Sequence, residues 1–271
     1  MSHPVVARME SADPDERRAA CREAATDPSA VLLLEALCER LGDAEKAVVR
    51  AASDAIVAIE RDQPGQADAL LRAALHGDSA RRRWGAAFTR ARLSPPEPGL
   101  IPAVVEAMAA ADGDVRWAAT KLLVEMGRLH PEVLGVAIGL ARSADRPIVR
   151  RMAAFCLREL APDDPHAAAA LVEASRDESP ELARAAFTAL AALLDPPAAV
   201  PARLVEALQG DPDPILRRLA ALSLGELGAN NPGTLPAQAT AELERARDAG
   251  ADPDLRRAAD RALQRLEERA C

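Results

Sequence analysis

The phrase Ile215-Leu216-Arg217-Arg218-Leu219-Ala220-Ala221 follows an acidic turn, Asp211-Pro212-Asp213, and runs on into further leucines at helical spacing. The same order returns as Asp114-Val115-Arg116-Trp117-Ala118-Ala119 and, less completely, along the whole chain. Its arginine marks the period. Arg17, Arg50, Arg83, Arg116, Arg150, Arg184, Arg217 and Arg256 follow one another at steps of 33, 33, 33, 34, 34, 33 and 39 residues. So regular a step is the signature of tandem structural units. The positions one before and three, seven and ten after the marker are mostly apolar. They are Val115, Ala119, Leu123 and Met126 in the fourth unit, and Leu216, Ala220, Leu224 and Leu227 in the seventh. That spacing makes one face of an α-helix. Upstream of each turn lies a second apolar helix, often opened by proline: Pro28 to Leu41, Pro131 to Ala141, Pro165 to Ser175 and Pro201 to Leu208. Proline suits a first helical turn, whose backbone N–H has no partner within the helix. One helix pair cannot bury its own apolar face, so neighbours must stack. The expected fold is all-α: a right-handed α-solenoid of about eight helix pairs, one body over residues 1–271. A capping unit is expected at about 1–27 and a last unit at about 234–271.

Composition agrees. Alanine and leucine dominate, nearly every basic residue is arginine, tyrosine is absent, and two tryptophans and three phenylalanines are the only aromatics. Strands draw on β-branched and aromatic residues, whereas Ala, Leu, Arg and Glu favour helices. The net charge of -8 argues against non-specific coating of nucleic acid or an anionic membrane. Met1-Ser2-His3-Pro4 opens without the basic segment and apolar run of a signal peptide, and no apolar stretch approaches the roughly 20 residues that span a bilayer. Cys21, Cys38, Cys156 and Cys271 have no CxxC spacing and read as reduced thiols. These features imply a soluble cytoplasmic protein.

Leu204-Val205-Glu206-Ala207-Leu208, then Asp211-Pro212-Asp213, then Leu216-Arg217-Arg218-Leu219-Ala220-Ala221 resemble the HEAT-like repeat of the phycobilisome-lyase type. The resemblance covers essentially the whole chain and is more specific for fold than for function. It implies that the turn aspartate and the marker arginine form a ladder between repeats, with Asp78, Asp112, Asp145, Asp211 and Asp252 placed for that role. It also implies that the second helix of each pair lines a concave surface. In the third unit Arg82 and Arg90 fall on nominal core positions, which would be relieved by a register shift of two residues.

Positions one, five and eight after the marker point away from the core. Across eight units these 24 positions hold no Asp or Glu, where nearly four would be expected, and they hold eight basic residues and four of the five aromatics. Trp84, Phe88, Trp117, Lys121, Arg151, Phe155 and Arg158 are the candidate binding residues. Exposed tryptophan and arginine are the types that most often anchor interfaces.

Catalytic signatures are missing. The four histidines, His3, His76, His130 and His166, form no HExxH and no His-Glu pair, the pair that holds iron in the HEAT-repeat deoxyhypusine hydroxylases. No phosphate-cradling glycine motif or GxSxG occurs. No cofactor or metal is expected. The sequence therefore reads as a non-enzymatic scaffold that holds an acidic or amphipathic protein segment in a basic, aromatic groove, with no role for nucleic acid or membrane. Two other classes share the repeat. HEAT-like alkylpurine DNA glycosylases combine a basic concave face with tryptophans and an aspartate, but Asp54 and Asp260 lie far from Trp84 and Trp117 in the repeat order. A bilin-lyase subunit could place tetrapyrrole propionates on the arginines.

Overall fold

The computed structural model describes residues 3–249 and 252–270. Among them are sixteen α-helices and no strand. Contacts group the chain into two units, residues 1–126 and 127–271.

In the first unit the pairs are α1 (Pro4–Met9) with α2 (Pro14–Ala24), α3 (Leu34–Arg40) with α4 (Lys46–Asp62), and α5 (Asp68–Leu75) with α6 (Ala80–Leu93). Helix α7 (Ile101–Ala107) follows, and α8 (Gly113–Leu129) crosses from this unit into the next. The second unit pairs α9 (Glu132–Ser143) with α10 (Pro147–Leu160), α11 (Pro165–Ala174) with α12 (Pro180–Leu190), α13 (Ala199–Gly210) with α14 (Pro214–Asn230), and α15 (Ala237–Ala249) with α16 (Pro253–Ala270). Within each unit second helices pack on second helices and first on first, so each unit is a two-layer stack. Every marker arginine stands in the first turn or so of a second helix, as its period predicts. Two first helices start away from the prolines expected to open them: α3 at Leu34, after Pro28, and α13 at Ala199, ahead of Pro201. Short 3-10 turns at Ala30–Leu33 and Pro98–Leu100 lead into α3 and α7.

The turns are built by aspartates. Oδ1 of Asp43, Asp112, Asp177, Asp211 and Asp252 accepts from the amide two residues on, at 2.8–2.9 Å. Each reverses the chain just ahead of the helix, the local use for which Asp is favoured in turns. Asp213 then caps α14 by accepting from the Ile215 amide at 2.8 Å, with Pro214 as the first helical residue.

Most of the marker arginines tie their turns, and Arg17, Arg83 and Arg150 do so twice. Their Nη1 donates to the carbonyl six residues back: Arg17 to Ser11, Arg83 to Gly77, Arg116 to Ala110, Arg150 to Ala144 and Arg217 to Asp211. Four of them then reach an acid of the following pair: Arg17 to Asp43, Arg83 to Glu106, Arg150 to Asp177 and Arg184 to Asp213. The ladder exists, but its acids differ from those the resemblance implied. Asp112 is held by Lys46, Asp211 lies 3.7 Å from Arg203 and Asp252 3.8 Å from Arg218. Lys46, first residue of α4, reaches past the third pair to both Asp112 and Asp114. These two carboxylates hold its ammonium above the ordinary lysine range.

The Arg17–Asp43 pair is the most enclosed rung, with the Asp43 side chain 4% exposed. Burial alone would raise the Asp43 carboxyl, but two hydrogen bonds from Arg17 and one from the Glu45 amide outweigh it and hold it below the usual carboxylate range. A depressed carboxyl contributes stability above its unfolded pKa of about 4, and that contribution is lost as pH falls toward the folded value. Asp43→Asn is expected to cost about 2 kcal/mol at pH 7, the scale of a hydrogen bond to a charged group. Melting followed from pH 7 to 3 should show the gap to wild type closing below about pH 4. A gap that stays constant with pH would remove Asp43 from the ladder.

The third pair keeps its register. Ala86 and Arg90 are both buried, three and seven after Arg83, with no shift of two residues. Arg90 is tolerated there because it donates to Asp68 and Glu97, each at 2.6 Å; a buried cation requires such partners. Arg82 pairs with Glu39.

Candidate binding surface

In the unshifted register Trp84 and Phe88 of α6 are half-buried. Their ring centroids are 5.8 Å apart with planes at 40°, within the range of favourable aromatic pairs. The Arg92 guanidinium sits 5.8 Å over Phe88, donates to Ser53 Oγ at 2.8 Å and pairs with Asp54 at 2.7 Å. Asp54 is thus one side chain away from the α6 aromatics, although the repeat order separates them. On α8, Trp117 is 46% exposed and Lys121, one turn on, is exposed as well.

In the second unit Arg151, Phe155 and Arg158 share one face of α10, all half-buried. Arg158 lies 5.7 Å over Phe155 and pairs with Glu159 at 2.8 Å. The same positions carry Ala185 and Ala189 on α12, both buried, and the exposed Leu222 on α14.

Of the eight cations on this face, four are neutralised locally: Arg18 by Asp15, Arg158 by Glu159, Arg218 by Asp254 and Arg257 by Asp254. Arg22, Lys121, Arg151 and Arg261 have no ion pair among the described residues. The acids responsible stand in the first helical turn, two before the marker, or nine after it, just outside the positions that suggested an acid-free face. The face is less positive than its sequence count implies, and its exposed cations are few and separate.

Between α12, α14 and α16 the second unit holds an open hollow of about 470 Å³, which no motif announces. Leu219, Leu222 and Ala191 line it with Arg261 and Gln264.

The thiols are built into the core. Burial raises Cys21 to about 11 and Cys38 and Cys156 to about 12, so they carry almost no thiolate at neutral pH. Cys271 lies outside the described residues. Among the described residues no cluster of three His, Cys, Asp or Glu side chains could hold a metal ion, and no helix is long and apolar enough to cross a membrane.

No curated protein matches the chain at a significant level. The X-ray structure of YibA from Escherichia coli aligns at 18% identity and TM-score 0.56, covering 97% of this chain and 91% of that one. Importin beta aligns at 15% identity and TM-score 0.61, covering 98% of this chain and 40% of that one. Kap95p, from a complex with RanGDP, aligns at 14% identity and TM-score 0.64, with coverages of 98% and 41%. The chain spans about two fifths of the two importin-type proteins, and at these identities the likeness concerns the α-solenoid fold alone. The family model for HEAT repeats matches residues 101–191 and 168–264, without extending to the phycobilisome-lyase subtype. With most of its length so matched, the chain belongs to the HEAT-repeat family.

Proposed function

We propose that the chain is a non-enzymatic protein-interaction scaffold whose second-helix faces hold an acidic or amphipathic segment of a partner. Trp84, Phe88, Trp117 and Lys121 serve in the first unit, and Arg151, Phe155 and Arg158 in the second. The observation that carries this reading is Trp117, 46% exposed with the exposed Lys121 one turn away. A tryptophan left this exposed beside a cation is well suited to an interface.

Trp117→Ala is expected to weaken partner binding about 30-fold, the equivalent of roughly 2 kcal/mol for an anchor residue, with helicity and melting nearly unchanged. Calorimetry against a purified partner measures the first, and circular dichroism the second. Binding should also weaken as salt rises, because the opposed charges are screened. Loss of folding would assign Trp117 to packing. The proximity of Asp54 to the α6 aromatics gives one observation to the glycosylase reading. Its carboxylate is engaged by Arg92 at 2.7 Å, which favours a structural role. Release of base from methylated duplex DNA, lost in Asp54→Asn, would overturn the scaffold reading.

A further inference from the structure

Lys46 is one of only two lysines among the 34 lysines and arginines of the chain, and it stands in the first turn of α4. A cation there opposes the positive end of the helix dipole, so α4 alone gives no reason for it. The reason lies two pairs away. Lys46 Nζ is 2.5 Å from Asp112 Oδ2 and 2.8 Å from Asp114 Oδ2. Lys46 and Asp112 hold equivalent places, each four before its marker, Arg50 and Arg116. Two steps of helix packing at about 8–10 Å would set such places about 16–20 Å apart. An extended lysine, an aspartate and the bond between them span at most about 12–13 Å from Cα to Cα. The starts of α4 and α8 are therefore drawn together over the start of α6.

Helix α6 makes room for this. A Cβ at Gly85 would lie 2.4 Å from the Leu41 carbonyl oxygen, and one at Gly42 would lie 3.0 Å from Arg82 Cβ. Arg82 also pairs with Glu39 of α3. The first half of α6 is thus seated tightly on the turn between α3 and α4. The ladder is rearranged to match. Asp213, four before the marker Arg217, takes the preceding marker Arg184. Asp112 holds the same place in the fourth turn, but the preceding marker Arg83 goes to Glu106 of α7, and Asp112 is taken by Lys46. Asp112 accepts as well from the Asp114 and Val115 amides at the start of α8, so Lys46 pulls on that helix end directly.

We propose that Lys46, with Asp112 and Asp114, is a strap that closes the second, third and fourth pairs of the first unit into a tight bend, and that its release lets α4 and α8 part. The three side chains are 45%, 34% and 76% exposed, so dissolved ions and opposed charges reach them. Exposed ion pairs of this kind shift an equilibrium by up to about fivefold. The strap biases the bend and does not lock it. Trp84 and Trp117 each stand five residues past the level of the strap in their own repeats, so their separation follows its state. The strap rests on ion pairs and helix spacing, and it stands whether or not that face binds a partner.

The test places nitroxide labels on Ala44→Cys and Ala111→Cys, both exposed, in the full chain with Cys271→Ser; Cys21, Cys38 and Cys156 are buried. Electron paramagnetic resonance at low salt should give one short separation. Lys46→Met, which keeps the length and removes the charge, should add a population at least about 5 Å longer and lower the ratio of short to long by up to about fivefold. At 1 M salt, where the screening length is about 3 Å, the parent should shift in the same way and Lys46→Met should not respond. Lys46→Glu should open the bend, and adding Asp112→Asn with Asp114→Lys should close it again, since asparagine still caps α8. A separation that ignores both Lys46→Met and salt overturns the strap, as does a charge exchange that fails to close it while circular dichroism is unchanged. If the variants lose helicity, the salt response of the parent decides alone.

Discussion

Phe187→Ala is expected to cost about 3–5 kcal/mol, a large share of the roughly 5–15 kcal/mol by which a domain is stable. Phe187 is the one aromatic that the repeat places on a core position, and it is fully buried on α12. The Arg203 guanidinium of α13 lies 5.2 Å over its ring, and Ser223 Oγ of α14 donates to its carbonyl at 3.2 Å. Arg203 is itself buried, donating from Nε and Nη2 to Ser175 at 3.0 Å each, and burial lowers its pKa from the ordinary value. Removing the ring opens a cavity where three helices meet and takes away the surface on which a buried cation rests. Chemical denaturation should show the loss, and Phe187→Leu should recover most of it. A change below about 1 kcal/mol would mean that the joint is not packed around this ring.

Gly85→Leu should be comparably damaging in the first unit, by overcrowding instead of vacancy. A Cβ at Gly85 would lie 2.4 Å from the Leu41 carbonyl oxygen and 2.8 Å from Leu41 Cβ. Backbone cannot yield as a flexible side-chain end can, so α6 must move off the end of α3. Overpacking costs about 1–3 kcal/mol and more when backbone must shift. Hydrogen exchange should accelerate in α3, α4 and α6, since each pair contacts its neighbours. The Trp84–Phe88 pair, carried on the displaced helix, should lose its near-ultraviolet dichroism. Gly139→Ala is the control: nothing lies within 4 Å of the added Cβ, and helix propensity favours alanine by about 1 kcal/mol. If Gly85→Leu melts like wild type, the close approach of α3 and α6 is not required.

The second helices are legible in the sequence because a period of 3.6 residues and a marker in the first turn both constrain them. Arg90 is the instructive case. Periodicity alone makes it a misplaced cation and suggests a shifted register. Its partners Asp68 and Glu97 resolve the conflict, but the hydrophobic pattern does not reveal either as a neighbour. The first helices are less legible. Proline is expected to open them, yet Pro28 precedes a 3-10 turn and Pro201 falls inside α13. Tertiary packing sets those starts more than the proline does. For the proposed binding face, periodicity places Trp84, Phe88, Trp117 and Phe155 at partly exposed positions, but it does not say which cations are taken. Glu159 stands beside Arg158 in sequence and neutralises it from outside the three positions that define the face. The hollow is hidden for another reason. Gly225, in its lining, lets α14 close on α16, since a Cβ there would lie 2.6 Å from Ala262 Cα, and an absent side chain leaves no trace in a hydrophobic pattern.

The two lysines of the chain have opposite fates, and chemistry can exploit the difference. Lys46 is clamped by two aspartates and held protonated to a higher pH than an ordinary lysine, so it is a poor nucleophile. Lys121 projects into water from the helix that bears Trp117. An acylating dye applied at mildly alkaline pH therefore discriminates between the side-chain amines without any engineered cysteine. It installs its reporter one helical turn from the tryptophan on which recognition is proposed to depend.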